Sequence, residues 1–156
     1  MRFFMFDRIV SAERGRRMEV VKLVNLSDGF FVDHYPLRPV MPGTLLIEAM
    51  AQAGGMLNFL NHDFGVEMVL ALVDGVRLGR PVVQGDRLEI GVDMMYDHPY
   101  GATMRSSIHV DGETVATADR IVYAHDVVED PGKIRLNRER FDYQCGGWRE
   151  GLRVAR

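Results

Sequence analysis

Glu48 is the one ionisable residue in the long apolar segment 41–61, MPGTLLIEAMAQAGGMLNFLN, where Ile47, Ala49, Met50 and Ala51 surround it. Burying an unpaired carboxylate costs several kcal/mol, so such a group takes a partner or keeps its proton. A carboxylic acid still protonated near neutral pH is what general-acid chemistry requires. A glutamate close to a helix start is also favoured by the helix dipole alone. The residue by itself leaves both readings open. His34 lies fourteen residues upstream in FVDHYPLRPVMPG. Pro36, Pro39 and Pro42 recur at every third position after it and stiffen the connection. A base held at a fixed offset from an acid is then available, although a loop histidine is also an ordinary surface residue. Gln52 stands one helical turn beyond Glu48 and shares its face, placed to orient the carboxyl group or to pack against a neighbour.

These groups need elements to hold them. Pro42 and Gly43 precede Thr44, where a helix start loses no needed hydrogen bond to proline. Residues 44–60 are helix formers, apolar around every face, which predicts a helix buried on all sides. Glu48, Gln52 and Asn58 interrupt it and it is too short to span a bilayer. Segments 68–73, 87–94, 103–110 and 114–123 alternate or are β-branched, and 17–26 reads as an earlier strand. Gln84-Gly85-Asp86, Pro99-Tyr100-Gly101 and Asp111-Gly112 separate the later ones with turn chemistry, the last suited to a tight hairpin. One buried helix and an antiparallel meander predict an α+β fold with the sheet wrapped round the helix.

Composition narrows the function classes. The 156 residues are 47% hydrophobic and 26% charged, the profile of one globular domain. Nineteen basic against 22 acidic residues give a net charge of −3, so no basic excess points to nucleic acid. A single cysteine, Cys145, forms no internal disulfide and asks for no oxidising compartment. The apolar start, 1–7, lacks the features of a signal peptide. A cytoplasmic protein without membrane insertion is expected. His62, His98, His109 and His125 follow no metal-ligand spacing.

The segment HYPLRPVMPGTLLIEAMAQAGG resembles the signature of the FabZ/FabA-type 3-hydroxyacyl-(acyl-carrier-protein) dehydratases, which carry the hot-dog fold. The pattern is histidine, aromatic, proline, then Met-Pro-Gly and an acid on the helix. Glutamate followed by AMAQA is similar to the FabZ branch rather than the aspartate-bearing FabA branch. VDGVRLGRPVVQGDRLEI is similar to a second family segment. The resemblance covers residues 1–125 and implies a hot-dog domain there, with 126–156 an extension of unknown role. It implies an antiparallel sheet around a long central helix, dimers joined edge to edge, and in many relatives trimers of dimers. It also implies an interface site at which His34 of one chain, as base, faces Glu48 of the other, as acid. The Gly43 N–H would polarise the thioester carbonyl, and Tyr35, Pro36, Val40, Met41, Pro42 and Gln52 would contact substrate. The implied reaction removes water from a (3R)-3-hydroxyacyl thioester borne by acyl carrier protein to give the trans-2-enoyl thioester, with no metal or organic cofactor. Fatty-acid or related acyl-chain synthesis is the implied setting.

Three positions depart from the pattern: Asp33 and Leu37 stand where the family usually has glycine, and Gln84 where it has proline. None belongs to the set His34, Gly43 and Glu48, so activity is expected with altered substrate preference. Arg38, Arg77 and Arg80 are candidates for steering an acidic carrier protein. Ala51, Ala53, Gly54 and Gly55 read as close helix–sheet packing, and Met41, Met50, Met56 and Phe59 as core with some lining an acyl tunnel. Phe141, Tyr143 and Trp148 in the tail argue against plain disorder there. Two other functions remain open: an acyl thioesterase, since this fold hosts thioester hydrolysis too, and a non-catalytic subunit paired with an active relative.

Overall fold

The computed structural model describes residues 4–31, 34 and 37–144, together with the backbone of 153–155. Strands β1 (Arg8–Glu13) and β2 (Arg17–Leu23) form a hairpin, and a short 3-10 turn at Gly29–Phe31 leads toward helix α1 (Gly43–Asn61). Five strands follow: β3 (Val66–Asp74), β4 (Arg77–Leu78), β5 (Arg87–His98), β6 (Gly101–Val110) and β7 (Glu113–Val127). Helix α2 (Pro131–Gln144) and strand β8 (Arg153–Ala155) come last. The sheet runs in the order β3-β7-β6-β5-β2-β1-β8, with β4 also paired to β7. A long helix against an open, mainly antiparallel sheet is the hot-dog arrangement. One pairing departs from the expected pattern, because β8 runs parallel to β1.

Period-two alternation turns one face of each long strand inward. Leu88, Ile90 and Val92 of β5, Met104 and Ile108 of β6, and Ala118 and Ile121 of β7 are fully buried. Leu46, Ala49, Met50, Ala53, Leu57 and Leu60 on α1 meet them at helical spacing. Register irregularities in the β1–β2, β3–β7, β5–β6 and β6–β7 pairs add the local bending by which the sheet curls round the helix. Asp111 (φ 50°) and Gly112 (φ 81°) make the two-residue β6–β7 connection. This is the Asp-Gly turn that the sequence predicts.

Several expectations need correction. The helix begins at Gly43 rather than Thr44, with Pro42 in the capping position and no side-chain cap. It is not buried on every side within one chain, since Glu48, Gln52, Gly55 and Phe59 form a half-buried stripe. The early strand stops at Leu23, because the Asn25 N–H bonds the Asp28 carboxylate (3.0 Å) and turns the chain. Strand β1 was not anticipated. Helix α2 occupies much of the tail, started by the Asp130 carboxylate accepting from the Gly132 N–H at 2.7 Å with Pro131 at the first helical position. No helix among the described residues is long and apolar enough to cross a membrane.

Candidate active site

The stripe Glu48, Gln52, Gly55 and Phe59 repeats at helical spacing and faces a cavity of about 860 Å³. Met68 and Leu70 of β3, Tyr123 of β7, and Leu136 and Tyr143 of α2 complete its walls. The lining is apolar apart from the Glu48–Gln52 pair and the α2 residues Glu139 and Arg140.

Gln52 is clamped from both ends. Its Oε1 accepts from the Met5 N–H at 2.9 Å, and its Nε2 donates to Glu48 Oε1 at 2.8 Å. A backbone N–H can only donate, so the amide has one orientation that satisfies both contacts. Oε1 of Glu48 therefore serves as the acceptor in this pair. The Glu48–Gln52 contact that helical spacing allows is present.

Tyr123 braces the same stretch of helix. Its hydroxyl donates to the Ala51 carbonyl at 2.5 Å, and the ring is buried. Burial and the nearby Glu48 carboxyl push its phenol far above the usual range, against a smaller opposing pull from the Gly55 N–H. The group therefore remains a neutral donor. A Cβ at Gly54 would run into this hydroxyl, which explains one of the small residues as close packing.

At the helix start the Pro42 carbonyl accepts from the N–H groups of Leu45 (2.9 Å) and Leu46 (3.3 Å). The N–H groups of Gly43 and Thr44 have no hydrogen-bond acceptor among the described residues, and they lie at the positive end of the helix dipole. The Met41 N–H bonds the Val82 carbonyl (2.8 Å) and ties this end to the sheet. The Leu78 side chain sits where a Gly43 Cβ would project, so glycine here answers a packing need of its own.

His34 is half-buried, its N–H donating to the Phe30 carbonyl at 3.2 Å. It does not line the Glu48 cavity, and neither do Val40, Met41, Pro42 or Gly43. Among the described residues of the expected site, Glu48 and Gln52 are the two that line this cavity. Tyr35, Pro36 and Asp33, with Cys145 and Trp148 of the tail, lie outside the described residues. Arg77 forms a two-pronged ion pair with Asp119 (2.8 and 2.7 Å), and Arg80 bonds Asp86 and Glu113. Both are thus partly neutralised, while Arg38 is exposed with no ion pair among the described residues. Sequence reasoning missed Met5, Tyr123 and the α2 residues. Asp130-Pro131 was a readable helix-start signal for the last of these.

At the far end of α1, Asn58 Nδ2 donates to His125 Nδ1 at 3.0 Å in the core. The His62 ring lies edge-on to His125 with centroids 4.5 Å apart, and His62 Nε2 is 3.0 Å from Asp97. Burial, then the neighbouring His62, lowers the His125 pKa, with Asp97 acting in the opposite sense.

The FabA-like domain family matches residues 1–119, and the FabZ 3-hydroxyacyl-[acyl-carrier-protein] dehydratase of Anaeromyxobacter sp. (strain Fw109-5) is 40% identical over 122 residues, 75% of this chain and 77% of the relative. The chain belongs to the FabZ/FabA family. Two solved structures resemble this family member in fold at 16% identity. The dehydratase heterocomplex ApeI:P from Xenorhabdus doucetiae has a TM-score of 0.66, over 85% of this chain and 87% of that one. A hypothetical thioesterase with coenzyme A from Streptococcus pneumoniae has 0.62, over 79% and 88%. The FabZ/FabA frame ends before α2, which lies wholly beyond the matched residues.

Proposed function

We propose that this chain is a cytoplasmic 3-hydroxyacyl-[acyl-carrier-protein] dehydratase of acyl-chain biosynthesis, acting as a homodimer, with trimers of dimers as the further assembly. The observation that carries the reading is Glu48, held by Gln52 at the mouth of an apolar cavity, in a chain 40% identical to a FabZ dehydratase. His34 takes the proton from C2 of the substrate. The electron pair left at C2 becomes the C2=C3 bond as the C3–O bond breaks, its electrons leaving with the oxygen, and Glu48 Oε2 of the other chain gives its proton to the departing hydroxyl to form water. Return of the proton from His34 to Glu48 resets the pair. The Gly43 N–H at the helix start favours negative charge developing on the thioester oxygen.

Two features support a site shared between chains. His34 does not line its own chain's Glu48 cavity. Strand β3 is a sheet edge, paired with β7 on one side, and it exposes Val69 (66%), Leu70 (45%) and Leu72 (44%). A long apolar edge strand invites a second strand, and a second copy of β3 related by a two-fold axis offers one of equal length.

The test is hydration of crotonyl thioester, followed as loss of enoyl absorbance, for wild type, His34→Ala, Glu48→Gln and an equal mixture of the two variants. Losing a positioned acid or base costs about 10²–10⁴-fold. Each variant is expected to be inactive at that level and the mixture to recover part of the rate, because a mixed dimer rebuilds one intact pair. Release of free thiol with the enoyl group untouched would replace this reading with thioester hydrolysis. Variants as active as wild type would remove these residues from the mechanism.

A further inference from the structure

Helix α2 stands on one stripe and shows another to the cavity. Asn137, Phe141 and Gln144 are buried and Ile134 packs on the core, so these residues form the seat. Asn137 Nδ2 donates to the carbonyls of Phe64 and Val66, both at 3.1 Å. The Phe141 ring packs edge-on to Phe64 at 5.4 Å, and the Arg138 guanidinium covers that ring at 5.2 Å. Lys133 pairs with Glu67 of β3 at 2.8 Å. The helix is thus fixed to the junction of α1 and β3.

Leu136, Arg140 and Tyr143 fall about 100° round the helix from that seat, on the basis of 3.6 residues per turn. All three line the Glu48 cavity. Leu136 and Tyr143 remain 47% and 60% exposed, and the Tyr143 ring stacks on Phe4, another lining residue, at 5.9 Å. Large side chains that contribute little to the seat, yet face an apolar space ending at the reacting carboxyl, suit contact with a hydrocarbon chain. Glu48 on α1 and these α2 residues are walls of the same space.

We propose that α2 is a wall of the acyl pocket and that Leu136 and Tyr143 set the length of acyl chain the enzyme accepts. This rests on the dehydratase reading above. It adds a specificity device carried by residues that lie beyond the family match at 1–119.

The experiment compares kcat/KM for crotonyl and trans-2-decenoyl thioesters in the full chain, for wild type, Leu136→Trp, Leu136→Ala and Tyr143→Ala. Each methylene moved into or out of an apolar contact is worth about a fourfold change in rate. Leu136→Trp is expected to lower the decenoyl-to-crotonyl ratio about tenfold or more, the decenoyl rate falling much further than the crotonyl rate. The alanine variants are expected to change the decenoyl rate several-fold more than the crotonyl rate. Leu136 is nearly half exposed, so unfolding midpoints of its variants should stay close to wild type. Equal ratios in all four proteins, with crotonyl hydration intact, would overturn the proposal. So would a change of sedimentation coefficient without a change of ratio, since α2 would then be a subunit contact. A wild type inert toward both thioesters would instead bring down the dehydratase reading, and this inference with it.

Discussion

Gly54→Ala should destabilise the protein even though alanine is the better helix former. In an exposed helix interior the change gains about 1 kcal/mol. Here the added Cβ would press into the Tyr123 hydroxyl and lie 3.0 Å from Met104 Sδ and 3.2 Å from Tyr123 Cζ. Tyr123 and Met104 are both buried, so neither side chain can swing into solvent. Overfilling a packed site costs about 1–3 kcal/mol. Displacing the hydroxyl from the Ala51 carbonyl costs about 1–3 kcal/mol more. Set against the helix gain, the expected net loss is about 3 kcal/mol, a fall in Tm of about 6–12 °C for a chain of this size. Urea unfolding at one fixed protein concentration reads this as a lower midpoint with unchanged m. Tyr123→Phe removes the atom that collides, so in that background Gly54→Ala should cost about 2 kcal/mol less, a coupling that a double-mutant cycle isolates. A Gly54→Ala protein as stable as wild type, or an equal cost in both backgrounds, would refute the argument.

Gln52→Leu removes the donor to Glu48 Oε1 and the acceptor for the Met5 N–H; kcat should fall about 10–100-fold with KM nearly unchanged, read by steady-state crotonyl hydration. Val69→Lys puts a charge on the exposed face of the β3 edge at a residue that does not line the Glu48 cavity; sedimentation should report monomer, and activity should vanish because the site is shared. His125, neutral in the core with a lowered pKa, makes stability depend on pH. Above about pH 6.5 the group is neutral in both states and its contribution is complete. As pH falls below that value the unfolded chain binds the proton first, so stability declines until the folded-state pKa is reached. Urea midpoints across pH 7 to 5 should show this slope in wild type and a flatter one in His125→Gln.

The parts of the fold that were legible in the sequence rested on local chemistry. Asp111-Gly112 has one favoured turn, and the apolar run at 44–60 has one sensible environment, so helix and hairpin were readable from neighbours alone. The half-buried stripe through Glu48 was not readable, because the cavity it faces is walled by β3, β7 and α2, elements distant in sequence. The Glu48–Gln52 contact followed from helical spacing. The Met5 N–H that orients Gln52 lies 47 residues away and leaves no local trace. Helix α2 was missed for another reason: its residues average as polar, and the seat at Asn137 and Phe141 is defined only by the carbonyls and ring it meets.

An open sheet has two ends, and this chain treats them unequally. At one end β3 offers a bare apolar edge; at the other β8 lies along Ser11–Glu13 of β1. In the language of polymers, strand addition at this sheet has a functionality close to one. A molecule with one reactive edge can pair and then stop, whereas two such edges would let copies add without limit into a fibre. The tail strand that ends the sheet there has three residues, and an edge that short offers little template for a further strand.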